Sequence, residues 1–244
     1  RGCKNMKLRV DKMLSNIGLG SRKEIKKDAR QGFIKINDIV EKDGSKIVDT
    51  EKDEVKYKGE TVKYCRYIYL MMNKPGGVVS ATEDNYDSTV IDLLKEEDKH
   101  YNPFPVGRLD KDTEGFLLIT NDGEFAHNLL SPKKHVDKTY YAEVEGEVTE
   151  NDVKVFAEGI VLTGEKYKTL PARLEIIKSG YPSICYVTIM EGKFHQVKRM
   201  FNAVNNEVIY LKRTSMGSVK LDERLNAGEY RHLTEEELKL LIKR

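Results

Sequence analysis

The segment with the strongest chemical promise is Val106-Gly107-Arg108-Leu109-Asp110-Lys111-Asp112-Thr113-Glu114-Gly115, which runs into the apolar stretch Phe116 to Thr120. Three acids in a short loop, bracketed by glycines and leading into a core strand, are presented at the rim of a sheet. Arg108 and Lys111 flank Asp110, and neighbouring cations favour an ionised carboxylate. Held on a rigid support, such a carboxylate can act as nucleophile or general base. The same residues also describe a solvated acidic turn whose surface ion pairs contribute about 0–1 kcal/mol each. Glycoside hydrolysis drops out, because carboxylates at i and i+2 of an extended loop point to opposite sides and make a poor pair across a sugar.

The elements that position this loop read as two domains. In the first, Val10, Met13, Leu14 and Ile17 make one apolar helix face, stopped by Gly18 and Gly20. Ser21 and Glu24 form a capping box for a second helix that ends near Gln31, with Gly32 as its left-handed cap. That helix is basic (Arg22, Lys23, Lys26, Lys27, Arg30), and only Ile25 and Ala29 face inward. Phe33 to Ile36, a turn at Asn37-Asp38 and Ile39-Val40 read as strand, turn, strand, with further short strands at 46–48 and 54–57. Polar residues 57–64 read as a linker, which gives a small domain over 6–62 and a larger domain over 63–244. From Arg66 onward strands alternate with helices. Helices are expected over about 89–95 behind Ser88, over 150–158 behind Thr149, around Val197 to Val204, and behind Thr234. A strand is expected over 182–190. The fold class is α+β, with a mostly antiparallel sheet in the larger domain.

Composition narrows the function. Residues 1–65 carry 17 Lys and Arg against 11 Asp and Glu, whereas the remainder carries 25 against 29. A basic small half joined to a mildly acidic larger one fits a grip on a polyanion, although a solvated surface gives the same count. The longest apolar run, Tyr67 to Met72, is far short of the roughly 20 residues of a membrane helix. Met6 reads as a natural start, so residues 1–5 stay outside the fold reading, and no secretory signal follows them. Three well-separated cysteines and five histidines, with no CxxC or HxxxH pair, argue against a metal site or a disulfide framework and for a reducing cytoplasm. No apolar stripe lacks a core role, so a monomer is expected.

The stretch RVDKMLSNIGLGSRKEIKKDARQGFIKIND resembles the RNA-binding domain first seen in ribosomal protein S4, with Asp38 where a Gly is usual and Asp28-Ala29 in place of an aliphatic pair. The resemblance implies that Ser21, Arg22, Lys23, Lys26 and Arg30 face RNA. GRLDKDTEGFLLITNDG is similar to the signature loop of the pseudouridine synthases, in the RsuA-type branch that acts on ribosomal small-subunit and related RNA sites. NKPGGVVSATED, DKTYYAEVEG, EGKFHQVKRMFNAVNNEVIYLKR and a closing LNAGEYRHLTEEEL match the same branch in the same order.

That resemblance implies a reaction without metal or redox cofactor, in which a uridine is detached at C1′–N1, rotated and rejoined through C5. It makes Asp110 the catalytic nucleophile or base and Asp112 structural. Tyr140 becomes the aromatic that stacks on the target base, although sharing a strand face with Ala142 and Val144 explains its burial equally well. Tyr141 lies on the opposite face. Lys198, beside its helix's apolar stripe, is expected to pair with Asp110, at a cost of about 3–5 kcal/mol if removed. Arg108 and Arg199 are substrate contacts, Arg199 turned about 100° round the helix toward phosphate. Leu221 is the expected apolar neighbour of the uracil, and His195 reads as structural. The HQVKR text favours a 16S rRNA substrate. A 23S rRNA site, or a non-catalytic ribosome-assembly protein using the same surfaces, is the alternative.

Overall fold

The computed structural model describes residues 6–62, 64–131, 134–162 and 167–242. They form two compact units: residues up to Tyr69 together with Leu94–Pro103, and Leu70–Leu93 together with everything from Phe104 onward.

The first unit contains β1 (Lys7–Arg9), α1 (Val10–Asn16), α2 (Arg22–Arg30), β2 (Ile34–Ile36), β3 (Ile39–Val40), β4 (Ile47–Asp49), β5 (Val55–Tyr57) and β6 (Glu60–Val62). Strands β3-β2-β5-β6 form one sheet, and β1 pairs antiparallel with β4. Met13 and Leu14 of α1, Ile25 and Ala29 of α2, and Ile34, Val48, Val55 and Tyr57 make the core. Burial of Ile25 supplies only about 2–3 kcal/mol, so α2 also depends on its ends. Ser21 accepts from the Glu24 N–H while its own N–H donates to the Glu24 carboxylate at 2.8 Å, a box whose loss costs about 1 kcal/mol.

Asp28 accepts from the Tyr57 hydroxyl and pairs with Lys58 at 3.0 Å, tying α2 to β5. Asp38 takes up the left-handed backbone of the β2–β3 turn, with φ 65°, where Gly is usual. The stretch expected as a linker is instead the β5–β6 hairpin followed by buried Tyr64, whose hydroxyl accepts from Asn16 at 3.1 Å.

After β7 (Tyr69–Lys74), the chain contributes α3 (Glu96–Lys99) to the first unit. No helix forms over 89–95. Thr89 is bridged to Val79 and bonds Asp92 through both its N–H and its hydroxyl, which holds a turn.

The second unit continues with β8 (Phe104–Pro105), β9 (Glu114–Thr120), α4 (Gly123–Leu130), β10 (Lys138–Glu145), α5 (Glu150–Glu158), β11 (Arg173–Lys178) and β12 (Ser183–Ile189). It closes with α6 (Gln196–Ala203), β13 (Glu207–Met216), β14 (Val219–Lys220), β15 (Tyr230–His232) and α7 (Glu235–Ile242). The sheet runs β11-β12-β10-β13-β9-β7-β15, with β14 beside β13 and β8 beside β9. Most pairs are antiparallel, and β13 with β9 is parallel. Phe116 to Ile119 of β9 are fully buried, whereas β10 alternates and buries Tyr140, Ala142 and Val144. Phe156 of α5 meets Phe201 of α6 with ring centroids 5.0 Å apart. Helix α4, not anticipated, is capped by Asp122 on the Phe125 N–H and buries Phe125, Ala126 and Leu129.

Cysteine spacing gave no reason to expect a bridge, yet Cys65 is disulfide-bonded; Cys185 is free and buried. Among the described residues, no helix is long and apolar enough to cross a membrane.

Candidate active site

The acidic loop is gripped from one side by the segment that follows β7. Lys74 is fully buried, and its Nζ donates to the carbonyls of Pro75 (2.9 Å), Lys111 (3.1 Å) and Thr113 (2.9 Å). The Gly77 N–H also reaches the Lys111 carbonyl, at 2.8 Å. Ser80 Oγ donates to the Leu109 carbonyl at 3.0 Å and accepts from the Leu109 N–H at 3.1 Å. Within the loop, the Thr113 N–H closes a turn onto the Asp110 carbonyl at 3.1 Å. Asp110 is thus carried on a turn whose neighbours on both sides are pinned. Burial pushes the Lys74 ammonium down to about 8, against the opposing pull of Asp112, Glu114 and Asp110.

At the far end of the loop, Gly115 has φ +96°, and a Cβ there would lie 2.3 Å from the Arg213 carbonyl. Only glycine lets β9 approach β13 at this point. Arg213 is itself 2% exposed: its Nε donates to the Phe116 carbonyl at 2.7 Å, while Nη2 has no hydrogen-bond partner among the described residues.

A pocket of about 410 Å³, including its open mouth, lies over this turn. Asp110, Tyr140, Lys198 and Arg108 all line it, with Leu109, Ile189, Val197 and Leu211 as its apolar wall. The sheet register explains the convergence: Tyr140 lies opposite Val187 of β12, and Ala142 opposite Leu211 of β13, so alternate residues of three strands share one face. Tyr141 points the other way, edge-on to Tyr186 and Tyr210.

The expected Lys198 pairing is shared between two acids. Nζ lies 2.6 Å from Asp112 and 3.9 Å from Asp110, and the bond from Lys198 leads in holding the Asp112 carboxyl below its ordinary value. Because the Asp110 side chain is 27% exposed, losing Lys198 leaves a partly hydrated charge, and the cost shrinks to about 1–2 kcal/mol. His195, expected to be structural, stands with Nε2 3.5 Å from Asp110. It caps α6 with φ 49°, a conformation that is uncommon outside glycine.

Leu221 does not line the pocket. It follows β14, and its N–H donates to the Thr214 carbonyl at 2.8 Å, so the apolar wall falls to Ile189, Val197 and Leu211 instead. Arg199 is also outside the pocket, half-buried, with Nη1 3.4 Å from the Phe194 carbonyl.

In the first unit, Lys23 and Arg30 are exposed. Arg22 and Lys26 keep roughly half their side-chain surface but lean on buried Asp11, at 3.3 and 3.7 Å, and Arg9 holds the same carboxylate at 2.9 Å. Burial raises the Asp11 carboxyl, and the bond from Arg9 with the charge of Arg22 outweighs it, leaving a net downward shift. Ser21 Oγ is engaged with Glu24 at 2.7 Å, which makes its part in the helix cap the direct observation.

Sequence reasoning missed Lys74, Ser80 and Arg213. Apart from the Pro75 carbonyl beside Lys74, their partners are backbone atoms distant in the chain, so no local spacing announces them. Among the described residues, no group of three or more His, Cys, Asp and Glu is placed to hold a metal ion.

A carboxylate beside a cation and a buried tyrosine, on this sheet, defines a class that comparison with known proteins makes specific. The profile described as RNA pseudouridylate synthase matches residues 68–203, and the S4 domain profile matches residues 8–55. The chain is 54% identical over 235 residues to the RNA pseudouridine synthase YtzG of Bacillus subtilis, covering 96% of this chain and 98% of that protein. It is 41% identical over 235 residues to ribosomal small subunit pseudouridine synthase A of Vibrio cholerae, covering 95% and 98%. A crystal structure of a pseudouridylate synthase superimposes with a TM-score of 0.68 at 40% identity, covering 96% of this chain and 99% of that one. The chain therefore belongs to the RNA pseudouridylate synthase family, in its RsuA-type branch, whose members are isomerases that convert uridine in RNA to pseudouridine.

Proposed function

We propose that this protein converts one uridine of 16S rRNA to pseudouridine, with Asp110 as the essential catalytic residue. The observation that carries the reading is the meeting of Asp110 and Arg108 of the acidic loop, Tyr140 of β10 and Lys198 of α6 on one pocket, from three separate stretches of chain. The relatives named for the ribosomal small subunit support the choice of RNA.

A stacked uridine hides C1′, so the nucleotide must leave its stack, at a cost of a few kcal/mol. Tyr140 offers its ring to the extruded base, with Ile189 and Leu211 beside it, and Arg108 at the mouth suits a phosphate. The C1′–N1 bond breaks, and Asp110 either attacks C1′, in a bond that breaks again when C5 takes its place, or removes a proton from the sugar and returns it once C5 has bonded. The freed base rotates, C5 bonds to C1′, the C5 proton leaves and N1 gains one, so the product is an isomer of the substrate. Throughout, the Lys198 ammonium at 3.9 Å lends positive charge beside the Asp110 carboxylate, and the His195 ring, with Nε2 at 3.5 Å, limits where that carboxylate can turn. The basic surface of α2, through Lys23, Arg30 and the exposed parts of Arg22 and Lys26, adds sequence-independent binding to the RNA backbone.

Pseudouridines mapped across total rRNA before and after loss of this protein test the reading. One 16S position should revert to uridine. Loss confined to 23S rRNA would move the substrate to the large subunit, and an unchanged map would contradict the proposed function.

A further inference from the structure

Phe194 carries no packing role. It is 74% exposed, on the turn between β12 and α6, and its ring lies flat on His195 with centroids 3.8 Å apart and planes 16° from parallel. His195 is the pocket residue whose Nε2 stands 3.5 Å from Asp110. The phenyl ring therefore continues the pocket wall outward by one stacked layer, with its exposed surface turned to solvent at the rim.

The turn that presents it is fixed. Gln196 accepts from the Lys193 N–H at 2.9 Å and donates to Glu191 at 2.8 Å; Glu191 accepts in turn from the Leu170 N–H at 2.9 Å. Arg199 lies against the Phe194 carbonyl. An apolar ring held in water by a braced backbone suits a flat ligand, and beside a pocket that takes an extruded nucleotide the flat groups within reach are the neighbouring bases.

We infer that Phe194, backed by His195, is a stacking platform for the base adjacent to the target uridine in the RNA strand. This rests on the proposed reading that the pocket takes that uridine. The platform holds the flanking nucleotide after the target leaves the stack, replacing a lost base–base contact with a base–phenyl one. Stacking of this kind is tolerant of base identity, so Phe194 contributes affinity and placement rather than sequence choice.

The chain contains no tryptophan, so Phe194→Trp installs a single reporter at the rim. Its emission should be quenched on titration with a 16S rRNA transcript, and activity should persist. Phe194→Ala should raise KM for the same transcript roughly 5- to 100-fold, with kcat carrying little of the loss and Tm unmoved. Phe194→Leu, which keeps apolar bulk without a π-face, should resemble Ala, whereas Phe194→Tyr should resemble the parent. Removing the base next to the modified uridine should raise KM for the parent and add nothing to the Phe194→Ala penalty. Equal KM for the parent and Phe194→Ala, or tryptophan emission indifferent to RNA, overturns the inference while leaving the pocket's function standing. A parent chain that makes no pseudouridine in that transcript overturns the reading of the pocket, and the platform with it.

Discussion

Lys74 shows how a single buried ammonium can govern a loop. With three protons it serves three carbonyls, two of them in the turn that carries Asp110. Its proton is lost near pH 8 in the folded chain, below the ordinary value of 10.5, so the unfolded chain binds more protons between these limits. Stability must therefore rise with pH from about 8 toward 10.5, by about 3 kcal/mol in total from this group. Activity should move the other way: a neutral amine has two protons for three carbonyls, and the loop loosens. A pseudouridylation rate that declines above pH 8 while the denaturation midpoint holds or rises is the expected signature. Lys74→Met should flatten that decline, lower kcat at least about tenfold and leave RNA affinity near the parent's. A parent-like kcat in Lys74→Met would remove the loop-positioning role.

Strand β9 depends on its parallel contact with β13, and that contact depends on Gly115. Gly115→Ala places a methyl group against the Arg213 carbonyl and nitrogen at a positive φ, and should destabilise the protein by about 3–5 kcal/mol. A urea midpoint equal to the parent's would contradict the close approach. The elements whose ends are set locally were the ones legible in the sequence. The box of Ser21 and Glu24, the Thr149 start of α5 and the reciprocal Thr234–Glu237 bonds before α7 all formed. Residues 89–95 misled because a helix start signal there is overridden by the bridge from Thr89 to Val79. The hairpin β5–β6 was hidden by polar residues that an exposed edge tolerates. Asp110, Tyr140 and Lys198 stood out through their motifs, since their chemistry alone fitted an acidic turn, a core aromatic and a solvated lysine equally well. Leu221 lies outside the pocket lining; which apolar side chain faces the pocket is decided by cross-strand register, which one chain's spacing does not encode.

Across the whole molecule, charge is divided: the N-terminal residues are basic and the rest mildly acidic. If the basic part holds RNA through phosphates, affinity must fall linearly on a log–log plot against salt. Lys23→Ala and Arg30→Ala remove exposed cations that the described ion pairs do not use. Each should weaken rRNA binding and reduce the salt slope by about 0.7–0.9, without changing the fraction of bound RNA that is modified at saturation. Arg22→Ala should show a smaller slope change together with some loss of stability, because it also supports Asp11. Slopes unaltered in Lys23→Ala and Arg30→Ala would place the RNA on another surface.

The most direct measurement is single-turnover pseudouridine formation in a 16S rRNA transcript by the parent and by Asp110→Asn at equal RNA occupancy. The neutral amide keeps the shape of the side chain and removes its charge, so product should vanish while binding persists within a few-fold. Pseudouridine formed at the parent's rate by Asp110→Asn would contradict the assignment of the chemistry to this carboxylate.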